Sequence, residues 1–123
     1  MDAIKFMIPL NPVTKKNSQQ IIFAKGRYIP IPSRVYREYE ESCGWYLPKV
    51  EVINHPVNIK AVYFMQTRRK VDLCNLHEAL HDVLVKYRII ADDNSRIVVS
   101  TDGSRVRYDK EHPRTEVEIT EVE

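Results

Sequence analysis

Hydrophobic and polar residues alternate in several short segments of the chain, and this alternation predicts strands. Residues 4–10 alternate until Asn11-Pro12 ends the pattern, and residues 21–24 and 28–31 flank Lys25-Gly26-Arg27 as a hairpin would. Further short strands are predicted at residues 96–101, 105–108 and 115–120. Residues 56–66 are apolar on both alternating sets of positions, which indicates a central strand of the sheet.

Two other segments have the residue spacing of an amphipathic helix. The first spans residues 34–47, with Ser33 as its expected N-cap and Pro48 after its end. Its apolar face is predicted to hold Val35, Tyr36, Tyr39, Cys43, Tyr46 and Leu47. The second spans residues 75–88, with Asn75 or Asp72 as its expected cap. Its apolar stripe is predicted to hold Leu76, Ala79, Leu80, Val83, Leu84 and Tyr87.

The resulting order of elements, β-ββ-α-β-α-β-β-β, predicts the fold class. Strands outnumber helices and hairpins are expected, so a mixed β-sheet with two main helices packed on it is the natural arrangement. A chain of 123 residues has the length of one ordinary domain. We therefore predict a single α+β domain over residues 1–123.

Composition narrows the class of protein. Hydrophobic residues make up 43% of the chain and charged residues 29%, which is typical of a globular protein. Three glycines are too few and too scattered for a glycine-rich phosphate loop. Two cysteines do not form a disulfide framework, and no apolar run reaches membrane-spanning length. With no visible signal peptide, a cytoplasmic location without membrane association is expected.

Acidic residues gather on and after the second helix. They are Asp72, Glu78, Asp82, Asp92 and Asp93. Carboxylates are the ligands that Mg²⁺ prefers, so a divalent metal site is one interpretation. The helix would separate its two ends by about 15 Å unless the chain folds back along it. The alternative is that these residues serve as a helix cap, a solvated helix face and a turn.

Two basic segments are candidates for binding a phosphate backbone. Arg68, Arg69 and Lys70 directly precede Asp72, and Lys15, Lys16 and Asn17 lie in an early polar loop. The alternative is a pair of solvated charged loops. The scattered tyrosines and the tryptophan are assigned to packing rather than to base stacking.

Two further patterns on the second helix could carry chemistry. The run from His77 to His81, HEALH, has the form of a zinc-protease motif. It lacks an evident third protein ligand, and several acids compete for the same face, so zinc hydrolysis is disfavoured. Cys74 lies near the helix start without a partner that would activate it as a nucleophile, and a small packed residue is the preferred interpretation.

The run RRKVDLCNLHEALHDVLVKYRIIADDN resembles the RusA family of Holliday junction resolvases, and residues 102–111 with 114–119 resemble its Gram-positive phage variant. A basic run precedes an acidic motif, then an apolar-striped helix and an Asp-Asp pair, and residues 12–18 resemble the family's early Pro-x-x-x-Asn loop. The resemblance implies a RusA-like α+β fold and a homodimer. It also implies Mg²⁺-dependent nicking of four-way DNA junctions in recombination and repair, with Mn²⁺ as a substitute, in a chain of phage or prophage origin.

The resemblance also assigns site residues. Asp72 matches the family's first catalytic aspartate, Asp93 its last, and Asp92 is the neighbouring acid. This chain has Cys74 where a second aspartate is expected and Glu78 where a lysine is expected. We expect Glu78 to supply the missing carboxylate. The alternatives are a branched-DNA-binding protein with weak or no nuclease activity, and a structural phage protein with incidental charges.

Overall fold

The computed structural model describes residues 1–15 and 19–123, with the side chains of residues 19, 20 and 32 excepted. The predicted DNA-binding residues Lys16 and Asn17 lie outside the described residues. The elements are β1 Ile4–Ile8, β2 Gln19–Ala24, β3 Arg27–Pro32, α1 Arg34–Cys43, β4 Val57–Met65, α2 Leu73–Lys86, β5 Val98–Ser100, β6 Arg105–Tyr108 and β7 Arg114–Glu121. The predicted α+β class, the mixed sheet and the two helices are confirmed.

Strand β4 occupies the centre of a five-stranded sheet, as its two-sided apolar pattern predicts. It pairs antiparallel with β7 on one side, with Ala61 opposite Val117, and parallel with β5 and β6 on the other. Strand β1 extends the sheet beyond β7. After the carboxyl end of β4, the chain passes through the basic residues 68–70 and then enters α2.

The core lies between one face of this sheet and the apolar stripe of α2. Ile59 and Tyr63 from β4 are buried together with Leu80 and Leu84 from the helix. Burying each such leucine stabilises the fold by about 2 kcal/mol relative to exposure. The opposite sheet face is mixed, with Val62 and Phe64 of β4 beside charged residues, and Lys5 and Glu118 form an ion pair there at 3.2 Å. This face alternation makes the register of the sheet specific.

Strands β2 and β3 form a separate two-stranded sheet, which confirms the predicted hairpin. Their two-residue turn has positive φ at both positions, 52° at Lys25 and 75° at Gly26. A turn of this kind matches the twist of the two strands and keeps the hairpin tight.

Helix α1 ends at Cys43 rather than at residue 47, so its predicted length was wrong. A Cβ atom at Gly44 would lie only 2.7 Å from the Tyr87 ring, and the Tyr87 hydroxyl donates to the Glu40 carbonyl at 2.9 Å. After Cys43 the amides of Gly44, Trp45 and Tyr46 donate to carbonyls three residues back, so α1 ends in a tighter turn, against which the Tyr87 ring packs. Val35 and Tyr46 are exposed, in contrast to their predicted place on the buried face.

Two other predictions were wrong. Strand β5 begins at Val98 rather than at residue 96, because the Asn94 carbonyl accepts hydrogen bonds from the amides of Ile97 and Val98 and holds the chain in a turn. The assignment of all tyrosine and tryptophan side chains to packing also fails, since Tyr28 is 77% and Trp45 86% exposed. Within the described residues, no helix is long and apolar enough to cross a membrane.

Candidate metal and nucleic-acid site

The chain reverses direction at the end of α2, and this reversal brings the Asp-Asp turn back toward the helix. The Ile89 amide donates to the Leu84 carbonyl at 2.9 Å and the Arg88 amide to the Val85 carbonyl at 3.1 Å. These two bonds, with φ of 62° at Arg88, form a Schellman motif. A bridge between Ile53 and Ile90 then fixes the returning chain beside the core.

The returning segment carries two carboxylates toward a third on the helix. Asp92 accepts hydrogen bonds from the Asp93 amide at 2.7 Å and from the Asn94 side chain at 3.1 Å. Partial burial, then the neighbouring Asp92 side chain and the charge of Asp82, raise the pKa of Asp93. Asp82, Asp92 and Asp93 therefore share one negative environment, in which a cation is favoured.

Asp72 occupies the N-cap position of α2, as predicted, but its carboxylate makes no capping hydrogen bond to the backbone. Instead it accepts a hydrogen bond from the Asn75 side chain at 3.3 Å and is exposed. Helix capping, which was the alternative to metal binding for this carboxylate, is thus not its role here. No hydrogen bond or ion pair among the described residues links Asp72 to Asp92 or Asp93.

Lys15, a predicted DNA-binding residue, lies among these acids. Its ammonium group contacts the Asp82 carboxylate at 2.9 Å, and this pair joins the early loop to α2. The hydrogen bond to Asp82, together with the charges of Asp82, Glu40 and Glu78, raises the pKa of Lys15. The exposed Glu78 is therefore electrostatically part of the same group.

A shallow basic groove adjoins the start of α2. The Asn11 side chain accepts a hydrogen bond from the Gln66 amide at 3.1 Å, which holds the early loop against the end of β4. Arg69 and Lys70 line the groove between these two segments and are exposed. Arg68 stacks on the ring of Tyr108, 4.1 Å from its centroid. The early loop up to Thr14 and the predicted phosphate-binding residues Arg69 and Lys70 are thus neighbours in space.

The HEALH motif forms a buried pair of rings rather than an open metal site. The rings of His77 and His81 are parallel within 7° with centroids 5.4 Å apart, and His77 Nδ1 lies 2.7 Å from the Tyr63 hydroxyl. Burial, and then the neighbouring His77, lower the pKa of His81 to about 4. Across residues 1–15 and 19–123, no three His, Cys, Asp or Glu side chains converge on one metal position. Cys74 is exposed, so the predicted packing role is not observed.

The same carboxylates nevertheless suit a hard divalent cation. Magnesium in nucleotide-processing sites is commonly held by one or two carboxylates, with water and substrate phosphate completing its octahedron. Asp92 and Asp93 offer adjacent carboxylate oxygens in the turn after α2. The donor chemistry therefore fits Mg²⁺, with substrate needed to complete the site.

Sequence reasoning missed the position of Asp82. The sequence pattern groups Asp82 with the acids of the second helix but not with the site residues; its carboxylate pairs with Lys15, and its charge contributes to the raised pKa of Asp93. Its spacing of four residues from Glu78 places both carboxylates on one side of the helix and was the available signal. The pairing with Lys15 spans 67 positions, so no local pattern could predict it.

Two comparisons with known proteins identify the family of this chain. The family model for Endodeoxyribonuclease RusA matches residues 9–120. The chain therefore belongs to the RusA family of endodeoxyribonucleases. It is also 30% identical over 104 residues to a crossover junction endodeoxyribonuclease RusA of Aquifex aeolicus (strain VF5), covering 82% of this chain and 80% of the relative. The family predicted from the central run of residues is confirmed.

Proposed function

We propose that this protein is a Mg²⁺-dependent endodeoxyribonuclease that nicks four-way DNA junctions by phosphodiester hydrolysis, with Mn²⁺ able to substitute. The observation that carries the proposal is the chain reversal after α2, which returns Asp92 and Asp93 toward the helix and brings Asp93 under the electrostatic influence of Asp82, the partner of Lys15. The Aquifex relative is a crossover junction endodeoxyribonuclease, which supports the choice of substrate. Recombination and repair are the processes that supply such junctions.

The proposed metal ligands are Asp72, Asp92, Asp93 and Glu78. Asp72 is available because its carboxylate makes no capping bond, and Glu78 is exposed one helical turn after Cys74. A bound metal would polarise the scissile phosphate and lower the pKa of an attacking water. Lys15 would limit repulsion between the carboxylates and the incoming phosphate by neutralising Asp82.

The basic residues would position the DNA backbone on either side of the cut. Arg69 and Lys70 line the groove at the end of β4, and Arg68 is stacked next to them. Lys16 and Asn17 are proposed to extend this surface from the early loop. Contacts of this kind carry affinity and register rather than base sequence, so substrate choice would depend on junction shape.

We further propose that two copies of the chain act as a homodimer. A four-way junction has approximate two-fold symmetry, and a two-fold dimer would present one site to each of two opposed strands. Paired nicks would follow from this geometry. The proposed setting is the cytoplasm of a bacterial cell, with a phage or prophage source.

The decisive experiment incubates a synthetic four-way junction with the protein and Mg²⁺ or Mn²⁺. Symmetrical nicked products are expected from the wild type. Asp72→Asn and Asp93→Asn should each lose cleavage by about 100-fold or more while still binding the junction, because a metal ligand is removed and negative charge is reduced. Asp102→Asn, in the turn between β5 and β6, is the matched control. Cleavage at the wild-type rate by Asp72→Asn would show that the assignment is wrong.

A second experiment tests whether Glu78, which stands where the family has a lysine, is a metal ligand. Calorimetric titration of Mn²⁺ into the wild type and Glu78→Gln, without DNA, should give clearly weaker binding for the variant. Unchanged affinity would remove Glu78 from the ligand set.

The second candidate function is a branched-DNA-binding protein with weak or no nuclease activity. The observation that favours it is Cys74, an exposed thiol where the family pattern has a carboxylate. The junction assay separates the two functions. A retarded but intact junction in Mg²⁺ and in Mn²⁺ identifies a binding protein, and nicked products identify an enzyme.

A further inference from the structure

The β2–β3 hairpin presents an apolar face that no other part of the described chain covers. Ile21, Phe23 and Tyr28 lie on this face and are 72%, 65% and 77% exposed. Phe23 and Tyr28 are opposite each other in the strand register, and their rings meet edge to face with centroids 5.2 Å apart. Single exposed apolar residues are ordinary on protein surfaces, but a contiguous exposed apolar cluster marks an interaction site.

The charge around this face is of one sign. Residues 19–32, which span the hairpin, contain two basic residues, Lys25 and Arg27, and no Asp or Glu. Lys25 lies in the hairpin turn, Arg27 directly follows the turn and precedes Tyr28 in the chain, and both are exposed. Neither forms an ion pair with any other described residue. The surface is thus complementary to a polyanion.

This charge also argues against a second copy of the chain as the occupant. A two-fold interface brings the same patch of each copy together, so Lys25 and Arg27 would face their own equivalents. Like charges close to one another oppose such an association. A nucleic acid instead supplies phosphates for the cations and flat bases for the exposed rings.

We infer that the hairpin is a base-stacking element, on which Phe23 and Tyr28 receive unpaired or unstacked bases at the branch point of DNA while Lys25 and Arg27 contact the adjacent phosphates. The inference rests on the proposed function and deepens it, because it assigns recognition of the branch to a surface separate from the carboxylates. Stacking of this kind tolerates any base, since every base has a π-face. It would therefore distinguish branched from fully paired DNA without reading sequence.

The test measures binding in EDTA, so that cleavage does not intervene. Phe23→Ala and Tyr28→Ala should each weaken binding to a four-way junction by about 5- to 150-fold, the range typical for loss of one stacked base. Binding to a linear duplex of the same length should change by less than about twofold, because its bases are already stacked. Lys25→Ala should make the dependence of binding affinity on salt concentration less steep, by the amount expected for the loss of about one phosphate contact.

Two control variants sharpen the result. Trp45→Ala removes an aromatic ring that is 86% exposed, but it lies among the glutamates of residues 38–51 and should leave junction binding unchanged. Phe23→Leu keeps an apolar side chain and removes the aromatic ring. It should bind the junction nearly as weakly as Phe23→Ala if the ring stacks on a base, and nearly as well as the wild type if only apolar area matters.

A fluorescent base gives a measurement that needs no variant. With 2-aminopurine at the branch point, binding of the wild type should quench or markedly alter the emission, and Phe23→Ala should abolish the change. No change with the wild type would overturn the inference. It would also be overturned if Phe23→Ala and Tyr28→Ala bind the junction as the wild type does, or if sedimentation shows that they convert a dimer to monomers without a specific loss of junction binding.

The outcomes separate this inference from the proposed function. A wild-type protein that alters the branch-point fluorescence but leaves the junction intact with Mg²⁺ and Mn²⁺ would end the nuclease proposal and support the stacking surface. If the wild type nicks the junction and both alanine variants still bind it fully, the nuclease proposal is supported and the stacking surface is excluded.

Discussion

Lys15 and Asp82 form an ion pair at 2.9 Å that joins the early loop to the middle of α2. Both side chains are about one-third exposed, so the pair lies at the edge of the fold rather than in its core. Its contribution to stability is therefore at most about 1 kcal/mol. Its main effect is electrostatic, because it reduces the negative charge next to Asp93.

Replacing Lys15 by Met should strengthen Mn²⁺ binding in the absence of DNA by about three- to tenfold, since one positive charge is removed from beside the carboxylates. Calorimetric titration measures this change. Lys5→Met is the matched control, because Lys5 pairs with Glu118 on the sheet face opposite the core. Equal effects of the two substitutions, or no effect of either, would exclude Lys15 from the metal environment.

Arg88 adopts φ of 62° in the Schellman motif, a conformation in which glycine has no steric penalty. Arg88→Gly should therefore raise the free energy of unfolding by about 0.5–1 kcal/mol, and Arg88→Val should lower it by about 1–2 kcal/mol because β-branched residues resist positive φ. Urea denaturation measures both. If Arg88→Gly is destabilising, the reversal after α2 does not depend on this backbone conformation.

Because Gly44 has no side chain, the Tyr87 ring can pack against the end of α1. A Cβ atom there would lie 2.7 Å from the ring, so Gly44→Ala should cost about 1–3 kcal/mol of stability. In a Tyr87→Ala background the same substitution should cost much less, because the clashing ring is gone. Thermal unfolding of the two single variants and the double variant gives the coupling energy. Strict additivity would contradict the contact.

The lowered pKa of His81 predicts that the folded protein loses stability in acid. Its pKa is about 4 in the folded protein and its ordinary value is 6.5, so protons bind the unfolded chain preferentially between these values. Stability should then be full above pH 6.5 and fall as the pH drops toward 4, by up to roughly 3 kcal/mol. Denaturation midpoints in EDTA at several pH values measure this loss. His81→Leu should flatten the curve in that range, and an unchanged slope would assign the acid sensitivity to other groups.

Several features of this protein followed from local sequence patterns. The apolar stripe of α2 and the two-sided apolar pattern of β4 predicted the central helix and the central strand, because burial imposes these periods on the sequence. The Lys25-Gly26 turn marked the hairpin for a similar reason, since few residues adopt positive φ at low cost. The run from Arg68 to Asn94 was sufficient to predict the family.

Other features depended on residues far apart in the chain, and the tertiary structure alone decided them. The Tyr87 ring packs against Gly44 at the end of α1, the Schellman reversal returns Asp93 to within the electrostatic influence of Asp82, and Lys15 pairs across 67 positions. The same holds for Phe23 and Tyr28, whose pattern suits a buried strand as well as an exposed one. A sequence pattern specifies which side of an element is apolar, but only packing determines whether another element covers that side.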